Sequence, residues 1–205
     1  MSRADASGGR EHAAYDRQIV LVRHAETEWS RNGRHTGRTD IPLTEGGRAK
    51  AAELAVRLRK WRFELVLVSP LARARETCEL CGLSAHAQER AELMEWHYGD
   101  YEGLTTPQIR AVRPDWSLWR DGCPGGETAA QVGARVDRVI AQLATVEGAV
   151  AVFSHGHLLR VLGARWAEMA PEQGARLGLS TAAICVLGYE RETAVLSRWN
   201  DVGAA

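Results

Sequence analysis

Three short runs of contiguous, mostly β-branched apolar residues constrain this chain more than any other feature: Ile19-Val20-Leu21-Val22, Leu65-Val66-Leu67-Val68 and Ala149-Val150-Ala151-Val152-Phe153. A strand with one face in water alternates apolar and polar residues, so an unbroken run calls for burial on both faces. Parallel strands enclosed between helices meet that demand. The intervening sequence supplies the helices. Thr44 is placed to cap one in which Ala51, Leu54, Ala55 and Leu58 recur at i, i+3, i+4 and i+7. Val132, Val136, Val139, Ile140 and Leu143 form a second apolar stripe before the third run, and Leu159, Leu162 and Trp166 form another after it. Residues 182–189 and 194–199 read as two strands joined tightly through Glu190-Arg191-Glu192, an antiparallel pair at a sheet edge. The expected fold is α/β: a three-layer α/β/α sandwich with a mostly parallel central sheet and one antiparallel edge strand.

At 205 residues, 45% of them apolar, the chain has enough material for a single domain over residues 18–205 with a core that needs neither metal nor disulfide. Residues 1–17 are small, polar and charged, so they are expected to form a disordered tail rather than a secretion signal or membrane span. Cys78, Cys81, Cys123 and Cys185 are too few and too irregular for a disulfide framework, which fits a cytoplasmic setting. The Cys78-x-x-Cys81 pair has no second CxxC beside it and falls in a helical stretch, where buried thiols are the expected reading. Lysine plus arginine balance aspartate plus glutamate at 26 each, so no global field draws the chain to nucleic acid or to an anionic membrane. Any anion site must be local.

Such a site is legible where the strands end. The first run leads into Arg23-His24-Ala25-Glu26-Thr27, the second into Ser69-Pro70-Leu71-Ala72-Arg73, and the third into Ser154-His155-Gly156-His157. Open α/β sheets place ligands at the carboxyl ends of their strands, so one sheet edge collects two histidines and two arginines. Guanidinium groups clamp phosphate oxygens bidentately, and a neutral imidazole nitrogen is a competent nucleophile. Phosphoryl transfer asks a protein mainly for alignment and charge neutralisation, which this set supplies. The leaving alkoxide also needs a proton, and composition alone does not single out the carboxylate that gives it.

Four segments taken together resemble the histidine phosphatase (phosphoglycerate mutase-like) superfamily: Leu21-Val22-Arg23-His24-Ala25-Glu26-Thr27, Ser69-Pro70-Leu71-Ala72-Arg73-Ala74, Glu95-x-x-Tyr98-Gly99-x-Tyr101-Glu102-Gly103 and Ser154-His155-Gly156. The resemblance implies that His24 becomes phosphohistidine and that Arg23, Arg73 and His155 bind the phosphoryl oxygens. It implies that Glu95 is the acid for the leaving group and then the base for water. Substrate contacts are implied at Ser30, Thr36, Gly37, Tyr98 and Gly156, with Glu26 and Glu102 in supporting places. No metal and no cofactor is implied, and the partner is a small phosphorylated metabolite. Two positions depart from the family pattern. Ala25 stands at a usual glycine, which costs little where φ is negative. Ser30 replaces an asparagine with a shorter donor.

A narrower set, including Thr27-Glu28-Trp29-Ser30, Gly33-Arg34-His35-Thr36-Gly37-Arg38-Thr39-Asp40 and His155-Gly156-His157, resembles the branch that holds sedoheptulose 1,7-bisphosphatase and small bacterial acid phosphatases. Only residues 104–122 separate Gly103 from Cys123. A mutase must keep water from phosphohistidine, so this short cover favours hydrolysis. The implied activity is a phosphomonoesterase acting on sugar phosphates or bisphosphates, or a broad acid phosphatase. Phosphoglycerate mutase activity and a catalytically silent sugar-phosphate-binding protein are the alternatives. His155-x-His157 also suits metal-dependent hydrolases, but the chain lacks the companion acidic and histidine set. Residues 97–127 are expected beside the site, with Trp116 and Trp119 walling it. A homo-oligomer is compatible with the sequence.

Overall fold

The computed structural model describes residues 17–203, and the expected tail, apart from Arg17, lies outside the described residues. In chain order the elements are β1 (Ile19–Arg23), α1 (Glu28–Arg31), α2 (Glu45–Leu58), β2 (Phe63–Val68), α3 (Ala72–Leu80), β3 (Ala87–Glu89), α4 (Thr106–Val112), α5 (Leu118–Asp121), α6 (Ala129–Leu143), β4 (Ala149–Ser154), α7 (Gly156–Trp166), β5 (Ile184–Glu190) and β6 (Thr193–Asp201). Short 3-10 turns at Ala91–Leu93 and Gly99–Tyr101 flank the segment that carries Glu95.

The strands form one sheet in the order β3-β2-β4-β1-β5-β6. β1 and β2 both pair in parallel with β4, and β3 pairs in parallel with β2. β5 pairs antiparallel with β1 and with β6. The single reversed strand is therefore β5, one place inside the edge, and β6 returns as the outer strand in the direction of the others. The hairpin turns at Arg191-Glu192, where Arg191 adopts a φ of +57°. β3 left no mark in the sequence pattern because Ala87-Gln88-Glu89 is short and mostly exposed.

Alternate residues of the apolar runs face opposite helical layers, which explains why the runs are unbroken. Ile19 and Leu21 pack into a core with Val132 and Val136 of α6 and Leu159 and Leu162 of α7. Val20 and Val22 pack with Ala51 and Leu54 of α2 and Cys78 of α3 in the other layer. β4, between β2 and β1, is buried along its whole length. Thr44 caps α2 by accepting from the Gly47 N–H, and Thr128 caps α6 with Gln131 reciprocating. All four cysteines are free and buried. Burial pushes the Cys78 and Cys81 thiols up to about 12, which keeps them protonated and unreactive. Among the described residues no helix is long and apolar enough to cross a membrane.

This topology sets three strand ends level. Arg23 pairs with Ser154, and Val68 pairs with Phe153. The ladder continues one step further, from the His24 N–H to the Ser154 carbonyl and from the Ser69 N–H to the Phe153 carbonyl. Residues 23–24, 69–73 and 154–157 thus emerge at one edge of the sheet. Leu162, fully buried where α7 meets the sheet, should lose about 2–5 kcal/mol on truncation to alanine. Val56, 63% exposed, should lose less than about 0.5 kcal/mol, and urea unfolding of the two variants measures the contrast.

Candidate active site

His24 follows β1 directly and is 4% exposed. Its Nδ1 lies 2.7 Å from the carbonyl oxygen of Ala25. A carbonyl only accepts, so the ring proton sits on Nδ1 and Nε2 keeps its lone pair. Burial first, and then the Arg73 and Arg23 guanidiniums, hold the ring well below the ordinary histidine pKa, so it stays neutral. Ala25 is not among the residues with positive φ, and its N–H donates to Thr77 Oγ1. The methyl group at this position is accommodated without strain.

His155 precedes α7 as its N-cap, with its ring centroid 5.2 Å from that of His24. The fully buried Arg73 donates its Nε–H to His155 Nδ1. That bond fixes the His155 proton on Nε2, which lies 2.7 Å from Ser69 Oγ. The Nη groups of Arg73 donate to the carbonyls of Thr36, Gly37 and Thr39. Four of its five N–H groups are thereby engaged by protein. The sequence expectation put Arg73 and His155 on the phosphoryl oxygens. In this structure neither lines the cavity and both are bonded to protein, with one Arg73 Nη1–H and the His155–Ser69 contact left to answer an incoming anion.

Glu95 is 6% exposed and fixed by three backbone donors. Oε1 accepts from the N–H groups of Trp96 and Leu158, and Oε2 accepts from that of His157. The last two belong to the first turn of α7, whose N–H groups have no partner within the helix. Oε2 keeps an unused lone pair, and Glu95 lines the same cavity as His24.

That cavity has a volume of about 260 Å³, and its wall includes Arg23, His24, Ser30, Arg34, His35, Thr36, Glu95, Tyr98, Thr106, Gly156, His157 and Arg160. Arg23 Nη1 donates to the Leu179 carbonyl, while Nε is the one buried side-chain nitrogen or oxygen without a partner among the described residues. An unpartnered guanidinium N–H beside a neutral imidazole marks the place of an anion. A Cβ on Gly156 would come within 3.2 Å of the Arg23 guanidinium, so only glycine lets that group lie so close over the start of α7.

Further along the wall, Tyr98 Oη lies 2.6 Å from His157 Nδ1. Burial raises the phenol well above its ordinary pKa, so Tyr98 keeps its proton, and the direction of this bond follows the His157 tautomer. Trp116 packs edge-on against His35, and Trp119 packs against His157 and lies under the Arg160 guanidinium at 4.6 Å. His155 and His157 therefore diverge, one toward Arg73 and Ser69, the other toward Tyr98.

The sequence reading put substrate contacts at Gly37 and Ser30, and each has protein partners of its own. Gly37 is absent from the cavity wall: its N–H donates to Glu102 Oε1 and its carbonyl accepts from Arg73. A Cβ there would lie 2.5 Å from Glu102 Oε2, so this glycine serves the close approach of Glu102, which also accepts from the Thr39 N–H. Ser30 does line the cavity, but its one hydroxyl proton is donated to the Thr27 carbonyl within the cap of α1. Thr36, Tyr98 and Gly156 line the cavity as well. Sequence reasoning passed over Arg160 and Thr106. Arg160 follows His157 by three residues on α7, a spacing that sets both on one helix face and offers the missing signal.

Comparison with known proteins agrees with this geometry. Residues 19–202 match the histidine phosphatase superfamily (branch 1), and the chain belongs to that superfamily. An acid phosphatase of Mycobacterium tuberculosis is 41% identical over 186 residues, covering 87% of this chain and 91% of that one. The sedoheptulose 1,7-bisphosphatase of Saccharomyces cerevisiae is 37% identical over 181 residues, covering 73% of this chain and 67% of its own. A solved Mycobacterium tuberculosis structure superposes with a TM-score of 0.87 at 39% identity, over 91% of this chain and 98% of the other. The chain is a histidine-dependent phosphatase.

Four histidines of the site, His24, His35, His155 and His157, are held below their ordinary pKa chiefly by burial, His35 at about 4. Below the ordinary value of about 6.5 the unfolded chain takes up protons on these rings that the folded chain refuses, so stability is full above that pH and falls below it. The urea midpoint should therefore drop between about pH 7.5 and pH 5. An unchanged midpoint would mean that the rings titrate normally.

Proposed function

We propose that the chain, with residues 18–205 acting as one catalytic domain, is a phosphomonoesterase of small phosphorylated metabolites that carry a second anionic group. The observation that carries the first part is the neutral Nε2 lone pair of His24 beside the partnerless Nε of Arg23. In the first step His24 Nε2 forms a bond to phosphorus as the ester P–O bond breaks, and Glu95 gives its proton to the departing alkoxide. Arg23, the free Nη1–H of Arg73 and His155, exchanging Ser69 for a phosphoryl oxygen, neutralise the equatorial charge. In the second step Glu95 takes a proton from water as the water oxygen attacks phosphorus, the P–N bond breaks, and inorganic phosphate leaves a neutral His24. The relatives and the short 104–122 cover support water as the acceptor rather than a second substrate molecule. The presence of both His24 and Glu95 supports turnover over silent binding. Four buried free thiols support a cytoplasmic setting.

The second anionic group is argued from charge. Arg23 and Arg73 already match one phosphate dianion, which leaves Arg34 and Arg160 on the same wall. Arg160 is held by the carbonyls of Gly174 and Ala175 and by Trp119, so its Nη1 is presented without a mobile side chain to order. Sugar bisphosphates have this chemistry.

His24→Ala should abolish turnover, and rapid quenching of the unaltered protein with radiolabelled p-nitrophenyl phosphate should trap an acid-labile, base-stable adduct. Retained turnover in that variant would exclude the covalent route. Arg160→Met should raise KM for a sugar bisphosphate about tenfold, equivalent to ~1.4 kcal/mol, and leave p-nitrophenyl phosphate almost unaffected. Equal effects on the two substrates would remove Arg160 from recognition.

A further inference from the structure

Glu95 sits on irregular chain between two 3-10 turns, where no helix or strand ladder fixes the backbone. What fixes it comes from α6. The Arg135 side chain, 11% exposed, directs all five of its guanidinium N–H groups at this segment and its neighbour. Nη1 donates to the carbonyls of Glu92 and Met94 at 2.6 and 2.7 Å. Nη2 donates to the carbonyl of Glu95 and to Glu127 Oε2, and Nε donates to Glu127 Oε1 at 2.8 Å. Glu127 closes the far side: its Oε2 accepts from the His97 N–H, its carbonyl from Trp96 Nε1, and its own N–H donates to the His97 carbonyl. Three carbonyls up to and including that of Glu95, and the two residues after it, are thus held by one bidentate ion pair. Neither Arg135 nor Glu127 lines the cavity.

The pair is largely buried, its side chains 11% and 20% exposed, and the Arg135 bonds outside the pair all go to the backbone that carries Glu95 rather than to its carboxylate. We propose that Arg135, together with Glu127, is a positioning residue for proton delivery, holding the chain on both sides of Glu95 so that its carboxyl meets the α7 N–H groups and the leaving oxygen at once. The proposal rests on the reading of Glu95 as the acid. Proton transfer is sensitive to displacements well under an ångström, whereas phosphate binding by Arg23 and attack by His24 depend on other elements. Loss of the clamp should therefore damage the step that needs a proton and spare the step that does not.

The test compares kcat/KM for p-nitrophenyl phosphate, whose leaving group departs unprotonated, with kcat/KM for glycerol 2-phosphate, whose alkoxide does not. This ratio reports transfer to His24 and is blind to later hydrolysis. Arg135→Gln should lose about tenfold or more on glycerol 2-phosphate and less than about threefold on the aryl ester, with Arg135→Lys recovering part of the difference. Glu127→Gln breaks the same clamp from its other side and should show the same selectivity; it carries the test should Arg135→Gln fail to fold by circular dichroism. Equal losses on both esters, or none on either, would overturn the proposal. Glu95→Gln separates the two levels of argument. If Glu95→Gln discriminates between the esters and the clamp variants do not, positioning by Arg135 alone is wrong. If Glu95→Gln fails to discriminate, the acid role falls and the positioning role falls with it.

Discussion

The bond from His24 Nδ1–H to the Ala25 carbonyl is the constraint on which the chemistry of this protein rests. It involves a residue and its immediate neighbour, so it depends on the backbone path just after β1. That path is set by the sheet, since the His24 N–H completes the ladder to Ser154 and the Ala25 N–H is taken by Thr77. A ring anchored through Nδ1 presents Nε2 as an acceptor at all times when it is neutral, and its burial among guanidiniums keeps it neutral. Burial first, and then the Arg73 and Arg23 guanidiniums, thus act together to keep the His24 ring unprotonated.

Burying so many cations has its own structural demand. Arg73 is fully buried with no carboxylate bonded to it, and its charge is instead spread over carbonyl dipoles from Thr36, Gly37 and Thr39. Those carbonyls belong to a segment fastened by Glu102 through the Gly37 and Thr39 N–H groups. A carboxylate therefore acts on Arg73 through two peptide units rather than by contact. A direct ion pair would have neutralised the guanidinium that the site needs positive. Arg23 is treated differently, with one Nη1 bond to Leu179 and a buried Nε that no protein group engages.

The sheet strands and the placement of His24 at the end of β1 were legible in sequence because both are local properties. An unbroken apolar run states that both faces are covered, and residues 23–24 and 155 follow such runs directly. The order of the strands was not legible: β4 inserts between β1 and β2, and the reversed strand is β5 rather than the edge itself. Hairpin recognition fixes pairing between neighbours in sequence, not which of the two strands meets the sheet. In the site, motif resemblance located Glu95 but carried no information on what holds it, because Arg135 lies 40 residues away on a helix whose visible pattern is its apolar stripe. Gly37 is a second case: motif resemblance marked its position but not that its peptide groups are bonded to Glu102 and Arg73 while its neighbour Thr36 lines the cavity.

The two histidines of Ser154-His155-Gly156-His157 divide the molecule's tasks. His155 turns inward to Arg73 and Ser69, whereas His157 turns outward to Tyr98 and the tryptophan-backed wall. Gly156 between them has no side chain, and that leaves room for Arg23 over the start of the helix. The junction of β4 with α7 consequently serves both sides: it turns one imidazole each way, and its N–H groups seat the carboxylate of Glu95. Inward groups are locked by the sheet and by one another, so they leave little room for variation. The outward wall is built from α7 and from residues 97–127, which pack on that face through side chains such as Trp116 and Trp119. Changes there leave the His24 ring and its bond to the Ala25 carbonyl on the other side of the junction.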